Sequence, residues 1–217
     1  MTPNPLLDFS GLPRFDVIRP EHVTPAIDTL LAEARAAIER IAANTATPTW
    51  DSVVEPLAEA LDRLDRAWGA VRHINAVVNT PELREAHNAN LPKIVAFHAD
   101  LGQDLRIYDK YRALRAQPGF AELDAPRRRL VENELRDFRL SGAELDDAGK
   151  ARFKEVQEML AELSTQFEEH LLDATNAWSL VVDEARLAGV PEDVRAEARA
   201  AARADGVEGC KLTLRMP

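Results

Sequence analysis

TWDSVVEPLAEALDRLDRAWGAVRHINAVV, residues 49–78, decides the fold. Trp50, Val54, Leu57, Leu61, Leu64, Trp68, Val71, Asn75 and Val78 recur in it at alternating steps of four and three. A strand would alternate at every second residue, whereas this period lays one apolar stripe along a helix and calls for a second helix along its length. Thr49 stands at the N-cap, and Leu61 and Leu64 sit in the middle of the seam. Pro56, near the start, has no N–H to give and kinks the helix or removes one backbone hydrogen bond.

The same period extends to both sides. Upstream, Val23, Ile27, Leu30, Leu31, Ala34, Ile38 and Ile41 predict a helix from about Glu21 to Ala43, with Thr24 and Pro25 as a first-turn signal, after an extended leader through Pro20. Downstream, a helix opens at Thr80 and Pro81. Its stripe runs through Leu83, His87, Leu91, Ile94, His98, Leu101, Leu105 and Tyr108, with Pro92 inside it, and it ends before Pro118 and Gly119. The short link from Asn79 to Pro81 makes it an antiparallel neighbour of the preceding helix. Asp124 and Pro126 start a further helix to Leu140, stopped by Ser141 and Gly142. A long helix follows, with Phe153, Val156, Leu160, Leu163, Phe167, Leu171, Ala174 and Trp178 on the face expected to be buried. The period then changes. Trp178 to Val182 and Cys210 to Met216 predict two short strands, separated by a helix from about Pro191 to Ala204 that Gly206 and Gly209 close.

Composition narrows the function classes. The 217 residues are 46% hydrophobic and 29% charged, enough for a sizeable core in one or two domains. Thirty-seven acidic residues against 27 basic ones give a formal net charge of −10, which argues against nucleic acid as a partner, because that affinity comes from neutralised phosphates. Arg127, Arg128 and Arg129 read as a solvated helix face. Cys210 is the one cysteine, so neither an internal disulfide nor a multi-cysteine metal site is expected, and a buried thiol in a reducing compartment fits. The N-terminus lacks a basic start followed by a long apolar stretch, and no run approaches the ~20 apolar residues of a membrane span. A cytoplasmic protein without membrane contact is expected.

No catalytic pattern accompanies this scaffold. The histidines are His22, His73, His87, His98 and His170, and none forms the i, i+4 pair that holds zinc on a helix. His87 and His98 share a face but stand roughly 16 Å apart at helical rise, too far for one ion; they read as packing histidines. His170 adjoins Glu169 with Asp173 a turn later, yet no serine, threonine or cysteine nucleophile motif accompanies them. Asn75 reads as a register-fixing amide, and Trp50, Trp68 and Trp178 read as core aromatics. No phosphate-binding glycine loop is present. The expected set of catalytic, cofactor-binding and metal-binding residues is therefore empty.

Several phrases nevertheless form an ordered series. They are Asn4-Pro5-Leu6-Leu7, Arg19-Pro20-Glu21-His22-Val23 with Pro25-Ala26, Thr49-Trp50, Asn79-Thr80-Pro81-Glu82-Leu83-Arg84-Glu85-Ala86, Asp137-Phe138-Arg139-Leu140-Ser141-Gly142 and Leu172-Asp173-Ala174-Thr175. In order and spacing they resemble the N-terminal region of the thimet oligopeptidase family of zinc metallopeptidases, on its bacterial branch, over practically the whole chain. The resemblance implies a mostly helical protein whose two halves flank a deep channel, where short peptides are cleaved and folded proteins are excluded. It also implies a zinc held by a His-Glu-x-x-His helix and a further glutamate, with the motif's glutamate activating water. No histidine here is followed by glutamate, and that motif lies far downstream in the family.

The reading is thus a mainly α fold, an antiparallel bundle of long helices with a small two-stranded β element near the C-terminus. Residues 1–20 form the leader, 21–177 the helical domain, and 178–217 a strand-helix-strand element packed on it; the catalytic zinc domain is expected outside this chain. The implied role is one wall of the substrate channel of a zinc oligopeptidase, without cofactor of its own. Its partners are then the C-terminal catalytic part of the same polypeptide and, for the parent enzyme, short peptides. A stand-alone helical interaction module is the first alternative, and an enzyme built on His170 the second.

Overall fold

The computed structural model describes residues 4–214. It is mainly α, with a small antiparallel sheet near the C-terminus. The chain divides into two compact units, one up to Ala161 and one from Glu162 onward.

In the first unit, α1 (Pro20–Ala43) is the central element and packs on the three helices that follow. Val23, Ala26, Ile27, Leu30, Ala34 and Ile41 on it are all buried. It matches the expected Glu21 to Ala43 within one residue, although Pro25, read as part of a first-turn signal, falls inside it. His22 Nδ1 accepts from the Arg19 N–H at 3.0 Å, while its own N–H donates to the Arg19 carbonyl at 3.0 Å, a side-chain cap that sequence inspection passes over. The leader is not simply extended. Asn4 caps a short 3₁₀ turn, Pro5–Leu7, and Leu6 and Ile18 enter the core.

Thr49 accepts from the Ser52 N–H at 3.1 Å, but the first turn behind it, Trp50–Val54, is a π turn. α2 (Glu55–Val77) continues directly, with Pro56 in its first turn. Pro56 cannot donate to the carbonyl four residues back, and the wider turn sits where that bond would have been. Asn79 then adopts φ +49 between α2 and α3 (Pro81–Gly102). Its Nδ2 donates to the Asn75 carbonyl at 2.7 Å and its Oδ1 accepts from Arg84 Nε at 3.1 Å, local bonds of the kind that let asparagine hold a left-handed turn.

One long helix up to Pro118 does not form. α3 stops at Gly102, and α4 (Leu105–Arg115) starts afresh after Asp104, whose side chain accepts from the Arg106 N–H at 2.9 Å. The break rotates the stripe: Leu105 is exposed, whereas Ile107, Tyr108, Tyr111 and Leu114 are buried. α5 (Ala125–Leu140) is capped by Asp124. It closes with Ala143 N–H on the Phe138 carbonyl at 3.0 Å and Gly142 N–H on the Arg139 carbonyl at 3.1 Å, Gly142 taking φ +88. This is a Schellman closure.

α6 (Asp147–Ala177) is the longest helix, and it corrects the sequence reading most sharply. None of its residues is buried. Val156, Leu160, Leu163, Phe167 and Leu171, expected to face a core, are exposed, Phe167 to 69%. Trp178, expected in the core, is exposed as well. The helix begins in the first unit, where Lys154 pairs with Asp100 at 2.7 Å, and ends in the second.

The second unit contains β1 (Ser179–Val182) and β2 (Cys210–Thr213), antiparallel with Val182 opposite Cys210. β1 is one residue shorter than the expected 178–182, and β2 stops at Thr213; of the expected 210–216, Arg215 and Met216 lie outside the described residues. α7 (Glu192–Ala204) lies between them in sequence and ends in a second Schellman closure, at Gly206. Val182, Leu187, Ala198 and Cys210 make a core of their own.

Candidate functional site

The histidines singled out by sequence are separately engaged. His87 is buried and stacks on Trp68, ring centroids 4.9 Å apart and planes 13° from parallel, with Nδ1 2.9 Å from Asn88 Oδ1. His98 Nε2 lies 3.6 Å from Asp65, and His73 packs on Phe15 at 5.2 Å. His170 is exposed on α6, with Glu169 half-buried beside it and Asp173 exposed a turn on. The structure does not bring these groups together. Among the described residues no three or more His, Cys, Asp or Glu side chains cluster as they would around a metal ion. No helix among them is long and apolar enough to cross a membrane.

The other marked residues are placed as follows. Arg127 lies over the Trp50 ring at 5.0 Å, and Arg128 donates to the Ala121 and Leu123 carbonyls. Asn75 is half-buried, its Oδ1 enclosed without a hydrogen-bond partner, and Cys210 is a buried free thiol.

Two concavities of the first unit have charged walls. The smaller, about 300 Å³, is bounded by α1, α3 and the α3–α4 break, with Arg35, Phe97 and Asp100 in its wall. Arg106 closes it by reaching Glu39 with two bonds of 2.9 and 2.7 Å and Asp104 with two more of 3.1 and 2.7 Å. The Arg106 bonds hold the Glu39 carboxyl below the ordinary range. Burial works to raise Asp104, but bonds from Arg106 and the Ile107 amide outweigh it and leave that carboxyl lowered too. Such a network clamps the break between two helices.

The larger concavity, about 720 Å³, lies along α4 and α5. Tyr108, Phe120 and Leu135 supply its apolar lining, and Arg112, Arg115, Arg136 and Arg139 its charge, with Glu132 the one carboxylate. Tyr108 donates to Glu144 at 2.7 Å, a bond that raises the phenol's pKa. Sequence inspection missed this groove. The available signal was an arginine pair at i, i+3 on each of two successive helices, but which faces meet is settled by packing.

The third feature is the uncovered stripe of α6. Val156, Met159, Leu160, Leu163, Phe167 and Leu171 recur at helical spacing, all exposed.

Residues 27–150 match the family described as the neurolysin/thimet oligopeptidase N-terminal domain. Oligopeptidase A of Salmonella typhimurium is 43% identical over 99% of this chain, and that of Escherichia coli likewise 43% over 99%. Dipeptidyl carboxypeptidase of Salmonella typhimurium is 32% identical over 96%. The chain spans about a third of the length of these relatives, 31–32%. The chain belongs to the neurolysin/thimet oligopeptidase N-terminal domain family.

Proposed function

We propose that this chain is the N-terminal helical domain of a zinc metallo-oligopeptidase that cleaves short peptides, and that it forms one wall of the substrate channel and limits access to it. The single observation that carries the reading is α6: a 31-residue helix with an apolar stripe and no buried residue, in a chain matching only the first third of relatives named as oligopeptidases. A stripe of this kind costs solubility unless more protein covers it. The cover is the catalytic part of the same polypeptide.

The described residues do not fit zinc, because no ligand group of the required kind converges. No step of peptide hydrolysis is therefore assigned to them. Their contribution is shape: a rigid helical wall admits an extended peptide and turns away a folded domain. A cytoplasmic setting completes the proposal, supported by the one, buried, unpaired thiol.

The test is a chimera in which this chain replaces the matching third of Salmonella Oligopeptidase A. The chimera is expected to hydrolyse a short peptide in a chelator-sensitive way and to leave the same sequence intact inside a folded protein. The 217-residue chain alone is expected to do neither and to retain no stoichiometric zinc. Turnover with one zinc per isolated chain would overturn the reading, as would an inactive chimera that is folded and zinc-loaded.

A further inference from the structure

The groove along α4 and α5 gathers arginines in an otherwise acidic chain, 37 acidic residues against 27 basic ones. Its wall holds four guanidinium groups and one carboxylate, Glu132. Three of the four arginines are also paired with carboxylates outside the wall, which leaves Arg115 and the spare donors of the others to meet a ligand. Arg112 bonds Asp109 at 3.1 Å and lies 5.6 Å from the Tyr108 ring centroid. Arg136 donates to Asp137 at 2.8 Å and Asn133 at 3.3 Å, and Arg139 approaches Glu144 at 3.4 Å. Each guanidinium has five N–H donors, so these tethers orient the fork and leave donors to spare. Arg115 has no ion-pair partner among the described residues.

Between these groups the lining is apolar, from Tyr108, Phe120 and Leu135. A free phosphate or small carboxylate would satisfy the arginines and leave that lining wet. A polyanion is opposed by the chain's formal net charge of −10. The volume, about 720 Å³, falls in the range of clefts that hold a drug-sized ligand, enough for part of a short peptide. A planar guanidinium fork matches a carboxylate in bidentate geometry, and an apolar lining accepts the side chains beside it.

We infer that this groove is a binding site for the carboxylate of a short peptide, with apolar residues of that peptide against Tyr108 and Leu135. The choice of a peptide rests on the proposed function; the site itself rests on the arginines and the cavity. Among the described residues no zinc-ligand cluster forms, so the site recruits or orients peptides and does not cleave them. Glu132, in the groove wall, acts against binding.

Calorimetric titration of the 217-residue chain tests this without any turnover, so its failure is separable from failure of the chimera. The probes are three unlabelled hexapeptides of otherwise identical apolar sequence: one amidated with a central glutamate, one amidated with glutamine there, and one with glutamine and a free C-terminal carboxylate. At least one carboxylate-bearing peptide is expected to bind about ten-fold or more tighter than the neutral one, the scale of a charge-assisted hydrogen bond. Tighter binding of the glutamate peptide assigns the site to an acidic side chain; tighter binding of the free-acid peptide assigns it to a chain terminus.

Arg115→Gln combined with Arg112→Gln should remove that preference, and Glu132→Gln should strengthen binding. All three side chains are exposed, and unchanged thermal melts would show that the variants fold. Arginine Nε–Hε resonances of Arg112 and Arg139 should shift on titration. Equal binding of the neutral peptide, indifference to the arginine substitutions, or displacement by inorganic phosphate at the peptide's own concentration would overturn the assignment.

Discussion

Leu61 and Leu64 lie one turn apart on α2 and both fit the seam that the four-three spacing draws. The structure separates them: Leu64 is fully enclosed, whereas Leu61 is half-buried at the edge of the core. Leu64→Ala is therefore expected to cost about 2–5 kcal/mol, and Leu61→Ala clearly less, measured as urea-midpoint shifts at constant slope. The spacing fixed which face turns inward, but depth along that face depends on neighbours that the pattern does not name.

Glu134 offers a second test at this scale. Burial raises its carboxyl above the ordinary 4.5, and Asp137 adds to the effect. Folding then favours the protonated acid, so the native state holds the proton more tightly than the unfolded chain does. Stability from this group falls as pH rises from 4.5 through the raised value. Glu134→Gln should accordingly match the parent well below pH 4.5 and gain on it above that point, seen in denaturation midpoints across the range. A variant that loses stability at neutral pH would contradict this account.

At the scale of elements, legibility followed the strength of local chemistry. The α5 stop at Ser141 and Gly142 was readable because a Schellman closure wants glycine at the left-handed position. A Cβ on Gly142 would meet Leu145 Cδ1 at 2.8 Å besides forcing φ +88 on an L residue. Gly142→Ala should thus destabilise by about 1–2 kcal/mol, again by denaturant titration. The break between α3 and α4 was carried by equally local residues, Gly102 and the capping Asp104, but an apolar stripe running across them concealed it. Periodicity continued through a point where the backbone did not. The π turn before Pro56 and the capping role of His22 lie below the resolution of pattern reading, since each depends on one hydrogen bond.

For the whole molecule, the sequence pattern conveys that α6 has an apolar face but not whether this chain covers it. That is a question about which surfaces exist to receive it, and no period within α6 contains the answer. The candidate site was hidden for the same reason: α4 and α5 each display arginines, and only their packing makes a groove. The exposed stripe gives a direct prediction. Leu163→Lys with Phe167→Lys, at positions 54% and 69% exposed, should leave the thermal melt of the isolated chain nearly unchanged. In the chimera the same pair should abolish or severely reduce peptide hydrolysis. Loss of folding in the isolated chain would show that α6 packs within it.

The uncovered stripe also divides the selective pressures on this sequence. Leu64 answers to the stability of its own neighbourhood, and a screen for folded protein would reject most replacements there. Leu163 and Phe167 contribute nothing to such a screen. In a saturation library read first for abundance and then for turnover of the joined enzyme, the α6 stripe should pass the first filter almost untouched and fail the second. The positions that behave so would trace the footprint of the surface that the proposed function sets against α6, residue by residue, without that surface being present.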